Sequence, residues 1–122
     1  MARILVIDDE YEIRVFLRKA LEHAGHEVVD ASDSEDGLRV FREQPADLVI
    51  TDLFMPPKGG FEVIQELKKD GADVKIVAIS GSATDFLGNN LARARQLGAA
   101  AVLEKPFSPQ KIVETVQKLL GE

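Results

Sequence analysis

The chain has 122 residues, 45% hydrophobic and 30% charged, with a net charge of −6. That length fits one domain, residues 1–122, with a core large enough to stand without disulfides. The lack of cysteine excludes thiol catalysis and thiolate metal sites, and the acidic balance with scattered basic residues argues against direct nucleic-acid binding.

Residues 4–7 (ILVI) form a short, β-branched-rich apolar run that predicts a buried strand. Ile13, Phe16, Leu17, Ala20, Leu21 and Ala24 then recur at helical spacing and stop at Gly25. Residues 27–31 (EVVDA) predict a second, weaker strand. Residues 34–43 predict a helix with Leu38 and Phe41 inward, stopped at Gln44-Pro45. Residues 47–51 (DLVIT) predict a third buried strand. Phe61, Ile64 and Leu67 mark a third helix between Gly59-Gly60 and Gly71. Residues 74–79 (VKIVAI) predict a fourth strand. Leu87, Leu91, Ala94 and Leu97 mark a fourth helix before Gly98. Residues 100–104 (AAVLE) predict a fifth strand. Ser108-Pro109 is a strong helix start, and Ile112, Val113, Val116, Leu119 and Leu120 line the helix that follows.

Five successive β-α units with strands apolar throughout imply α/β architecture, a parallel sheet covered on both faces. Right-handed crossovers leave a few doubly wound topologies. In such sheets ligands bind beyond the carboxyl ends of the strands, where the winding reverses. The residues there are Asp8, Asp9 and Glu10 after the first strand, Asp52 after the third, Ser80 after the fourth and Lys105 after the fifth. In the order 2-1-3-4-5, strands one and three are neighbours, so Asp8, Asp9 and Asp52 converge in one shallow crevice. Like charges that close repel and raise one another's pKa. A cation relieves this, and an oxygen-only, partly open site suits Mg2+. Ser80 and Lys105 would add a hydroxyl and an ammonium, which with the metal make a receptacle for a phosphoryl group. Singly, each residue has a plainer reading. The acids suit a helix N-terminus, Ser80 a turn, Lys105 the surface, and Asp52 a turn after a strand.

Together, residues 4–10 (ILVIDDE), 47–56 (DLVITDLFMP), 78–80 (AIS) and 103–107 (LEKPF) resemble the receiver domain of two-component response regulators, over essentially the whole chain. The resemblance implies a flavodoxin-like sheet of order 2-1-3-4-5 with five helices. It implies that Asp52 is the phosphoacceptor, that Asp9 binds Mg2+ (Mn2+ possible) directly and Asp8 largely through water, and that the Phe54 backbone carbonyl is a further ligand. Ser80 would hold a phosphoryl oxygen and Lys105 would pair with Asp52 or its phosphate. The Lys105–Pro106 bond is expected to be cis on resemblance alone, because X-Pro bonds are cis in only about 5–6% of cases. The implied donor is a phosphohistidine of a sensor histidine kinase or a histidine phosphotransfer protein. A downstream protein target would read the switch, and no free-substrate turnover is expected.

Three features depart from the family pattern. Gly59 stands where the loop after the acceptor usually has Asp, so the third helix loses an acidic start. Val102 replaces the usual switch aromatic and cannot swing between rotamers as Tyr or Phe does. Output would then run through backbone shifts or Phe86. The stretch from Ser80 to Gly98 is a few residues longer than in the chemotaxis type. Phe54, two residues past the acceptor, is expected to hinder the attacking water and lengthen the phosphoryl lifetime.

The alternatives are a degenerate receiver acting as an interaction module, a Mg2+-dependent aspartyl phosphohydrolase and a flavin carrier. The hydrolase needs D-x-D after the first strand, and the flavin carrier needs a phosphate loop where this chain has three acids. His23 and His26 flank Gly25 at a helix end, where a cation suits the dipole, and are expected to be solvated. Phe16, Phe41 and Phe61 fit the core, and Phe107 is expected to pack. No apolar run nears the ~18 residues of a membrane span and the N-terminus holds no signal-peptide core, so a cytoplasmic protein without membrane contact is expected. No output domain follows the fifth helix within these residues.

Overall fold

The computed structural model describes residues 2–54, 59–71, 73–81 and 89–121, the side chains of 89–91 excepted. Along the chain these form β1 (Arg3–Ile7), α1 (Tyr11–His23), β2 (Glu27–Ala31), α2 (Ser34–Glu43) and β3 (Leu48–Asp52). There follow α3 (Gly60–Lys69), β4 (Lys75–Gly81), α4 (Asn89–Leu97), β5 (Ala101–Lys105) and α5 (Pro109–Leu120). The strands pair in parallel in the order β2-β1-β3-β4-β5, as the alternating pattern and the resemblance predict.

The apolar runs of the central strands β1, β3 and β4 are explained by the two faces they must fill. Side chains alternate across a strand, so Ile4 and Val6 join Leu48, Ile50, Val77 and Ile79 in one core with α1 and α5. Leu5 and Ile7 join Val49, Ile76 and Ala78 in the other, against α2, α3 and α4. This double cover holds every strand's carboxyl end at the same rim of the sheet.

Local chemistry sets the helix ends. The Asp33 carboxylate accepts the Asp36 N–H at 2.7 Å at the start of α2, and Ser108 Oγ accepts the Lys111 N–H at 3.1 Å at the start of α5. Gly25 follows α1 with φ of 97°, a left-handed conformation that a side chain resists.

The strands run slightly further than the apolar runs predict. Asp52 lies within β3 opposite Ile79, and Ser80 and Gly81 lie within β4 opposite Glu104 and Lys105 of β5. The sheet ladder therefore positions these polar side chains, and rigid strands place a group more sharply than loops do.

One expectation is corrected. His26 is only 5% exposed. Its Nδ1 accepts the Ala2 N–H at 3.2 Å, and its Nε2 has no hydrogen-bond partner among the described residues. It serves as a buried acceptor that ties down the start of β1, not as a solvated group at a helix end. Phe107 packs as expected, edge-on to Phe16 with ring centroids 5.8 Å apart.

Ile50 is fully buried in the central strand β3. Ile50→Ala is expected to lower the unfolding free energy by about 2–5 kcal/mol, read as a reduced urea midpoint at unchanged slope.

Candidate functional site

The carboxyl ends of β1, β3 and β5 bring one lysine and three acids into contact. Lys105 Nζ lies 3.0 Å from Glu10 Oε1, 3.1 Å from Asp52 Oδ2 and 3.3 Å from Asp8 Oδ2. Asp9 belongs to the same group, and one carboxylate oxygen from each of Asp8, Asp9, Glu10 and Asp52 falls within 4.8 Å of the others. Asp8 is fully buried and Asp52 is 5% exposed, whereas Asp9 and Glu10 are exposed.

Backbone groups fix the buried acids. Asp8 Oδ1 accepts the Glu10 N–H at 2.8 Å, and the Arg14 guanidinium donates to the Asp8 carbonyl at 2.8 Å. Asp52 Oδ1 accepts the Phe54 N–H at 3.1 Å, so its two oxygens have different partners: a backbone amide on Oδ1 and Lys105 on Oδ2. Ser80 is fully buried at the end of β4, its hydroxyl donating to the Gly81 carbonyl at 3.3 Å. The Lys105–Pro106 peptide bond is cis.

The electrostatics follow from crowding and burial. Burial pushes the Asp8 carboxyl up to about 6; the Glu10 N–H opposes this, Asp52 adds to it and Lys105 opposes it. Burial pulls Lys105 down, but its hydrogen bond to Glu10 and the charges of Asp8 and Asp52 outweigh that and hold it above the ordinary lysine value. Asp8 Oδ2 is buried and faces Lys105 without hydrogen-bond geometry. A buried carboxylate oxygen with an ion pair but no hydrogen bond, in a group of other carboxylate oxygens, fits a hard divalent cation. The residues present therefore suit Mg2+, with Asp8, Asp9, Glu10 and Asp52 as the acids within reach.

In the sequence Glu10 is only part of an acid run. Its bond to Lys105 spans 95 positions and carries no local signal. Val102 is half-buried against the core beneath α2, α3 and α4, opposite Ala78. Phe86, Leu87 and residues 55–58 lie outside the described residues.

The Gly59 departure has a steric side. Gly60 N–H donates to the Leu53 carbonyl at 3.1 Å. A Cβ built on Gly59 would fall on the Leu53 carbonyl oxygen, and one on Gly60 would fall on the Asp52 carbonyl oxygen. The backbone starting α3 is thus pressed against the end of β3. The missing acid is partly made good from inside the helix, since Glu62 Oε2 accepts the Gly59 N–H at 3.0 Å.

Fold and site define a doubly wound α/β domain with an acid–lysine cluster at its switch point. The model of the response regulator receiver domain matches residues 4–117, and the chain belongs to that family. It is 34% identical over 120 residues to the response regulator receiver protein CpdR of Brucella abortus, covering 98% of each chain. The receiver domain of NtrX from Brucella abortus superposes with a TM-score of 0.89 at 28% identity, over 97% of this chain and 98% of that one. The chemotaxis protein CheY4 of Vibrio cholerae gives 0.87 at 28% identity, with 97% and 98% covered. The chain spans about half the length of other curated relatives. One is the probable transcriptional regulator ycf27 of Cyanophora paradoxa, 38% identical over 120 residues, which are 97% of this chain and 48% of that protein. No helix among the described residues is long and apolar enough to cross a membrane.

Gly59→Asp, which restores the acid usual in the family, is expected to destabilise this chain by about 1–3 kcal/mol through overpacking on the Leu53 carbonyl. Denaturant unfolding checks this. A midpoint equal to or above wild type would show that the backbone yields without cost.

Proposed function

We propose that the chain is a phosphoaccepting receiver of two-component signalling, with Asp52 as acceptor and a phosphohistidine as donor. The donor sits on a sensor histidine kinase or a histidine phosphotransfer protein, and a downstream protein reads the result. The observation that carries this reading is the placement of Asp52, nearly buried at a strand end, with Lys105 on one oxygen and a backbone N–H on the other. A solvated turn acid has no need of either partner.

In the reaction a carboxylate oxygen of Asp52 attacks phosphorus in line. A P–O bond forms, the P–N bond breaks, and its electron pair returns to the donor's imidazole. Lys105 keeps its positive charge throughout and draws the carboxylate and then the phosphoryl oxygens towards it. Ser80 supplies a hydroxyl to a phosphoryl oxygen, and the Phe54 N–H orients the attacked carboxylate. A bound Mg2+, or Mn2+ in its place, would be held by Asp8, Asp9, Asp52 and the Phe54 carbonyl, and supplies charge neutralisation on the transferring group. Hydrolysis of the acyl phosphate returns Asp52 to its starting state, so the chain cycles without turning over a free substrate.

Incubation with acetyl phosphate and Mg2+ is expected to add one phosphoryl mass to the intact protein, and to add none in Asp52→Ala or under chelation. No gain in the wild type favours a module that works by protein contacts alone.

Phe54 is 42% exposed beside the acceptor. Phe54→Asn is expected to shorten the phosphoryl lifetime, followed as loss of the added mass after removal of the phosphodonor. Equal decay rates in the two proteins would remove Phe54 from the control of lifetime.

A further inference from the structure

Val102 leaves the fifth strand without an aromatic that could report on Asp52, but another aromatic contact leaves the acceptor in a different direction. The Phe54 N–H that holds Asp52 Oδ1 belongs to a residue whose ring packs edge-on to Phe61, with centroids 5.9 Å apart and planes at 87°. Phe61, the second residue of α3, is 8% exposed. Its ring also carries the guanidinium of Arg93, on α4, with Cζ 4.4 Å from the centroid. Gly60 ties the start of α3 to the Leu53 carbonyl. Asp52, Phe54, Phe61 and Arg93 therefore form one continuous series of contacts from the acceptor carboxylate to α4.

We propose that Phe61 and Arg93 couple the phosphorylation state of Asp52 to α4, through the backbone and ring of Phe54. The proposal rests on Asp52 being the phosphoacceptor. Before transfer, the Phe54 N–H donates to a charged carboxylate, and such bonds are about twice as strong as neutral ones. Formation of the P–O bond takes the charge off the carboxylate and places it on the phosphoryl oxygens. The Phe54 N–H then keeps a weaker, neutral acceptor or follows the charge, and in the second case its ring is re-aimed. Aromatic pairs depend on geometry, with rings about 4.5–7 Å apart and offset or edge-on. The cation over Phe61 holds best on the ring face. A re-aimed Phe54 therefore changes the seat of Arg93, and with it the hold that α3 has on α4. The two charge states of Asp52 favour two arrangements of one set of contacts, as a population switch requires.

Arg93 is exposed, so its replacement leaves the core intact. Hydrogen–deuterium exchange of residues 89–97 is measured in wild type, Arg93→Gln and Arg93→Lys, with and without acetyl phosphate and Mg2+. Intact mass reports phosphorylation in the same samples. In wild type, phosphorylation is expected to change exchange in this segment about fivefold or more, the lower end of ordinary coupling between sites. Arg93→Gln is expected to be phosphorylated equally but to lose that change, and Arg93→Lys to restore it. A full change in Arg93→Gln, or its loss in Arg93→Lys as well, overturns the coupling alone. Absence of phosphoryl gain in wild type overturns the phosphoacceptor reading and the coupling with it.

Discussion

The ammonium of Lys105 is the contact on which the site depends. Four carboxylates crowd the ends of β1 and β3, and two of them, Asp8 and Asp52, are buried. Buried charge is tolerated only when paired. Lys105 reaches Asp8, Asp52 and Glu10 at once because β5 delivers it from the far edge of the sheet. Three elements distant in sequence are thereby pinned at one point. The demand for positive charge is only partly met, as the raised pKa of Asp8 beside Lys105 shows. Such a site favours a further cation.

The rest of the fold serves to bring those strand ends together. Pairing between β3 and β4 and between β4 and β5 continues through Asp52, Ser80 and Lys105, so these residues stand on the ladder itself. The two cores cover the sheet on both sides and leave its carboxyl rim as the place where polar side chains converge. Phe54 and Phe61 extend this order beyond the rim, toward α4.

The frame was legible in the sequence because each strand is a short apolar run and each helix has a 3.6-residue stripe with chemical punctuation. The acids and Lys105 were legible for a related reason, since each follows an apolar run whose end the topology fixes. What escaped was set by contacts between distant segments. Local rules place His26 at a helix end in water, but the start of β1 needs an acceptor for the Ala2 N–H and draws the ring inside. Glu10 is one acid among three in the sequence, and only the fold lays Lys105 beside it. Phe61 read as core, which it is, but no periodicity could show that its ring meets Phe54 and Arg93 as well. The tightness at Gly59 was equally silent, because a missing side chain in a sequence does not say what occupies the space.

That tightness bears on how receivers can be recombined. Cβ atoms on Gly59 and Gly60 would fall on the Leu53 and Asp52 carbonyl oxygens, so the start of α3 and the end of β3 form one mechanical piece. The smallest exchangeable unit runs from β3 through the opening of α3, and a chimera cut inside it would disturb the seat of Asp52.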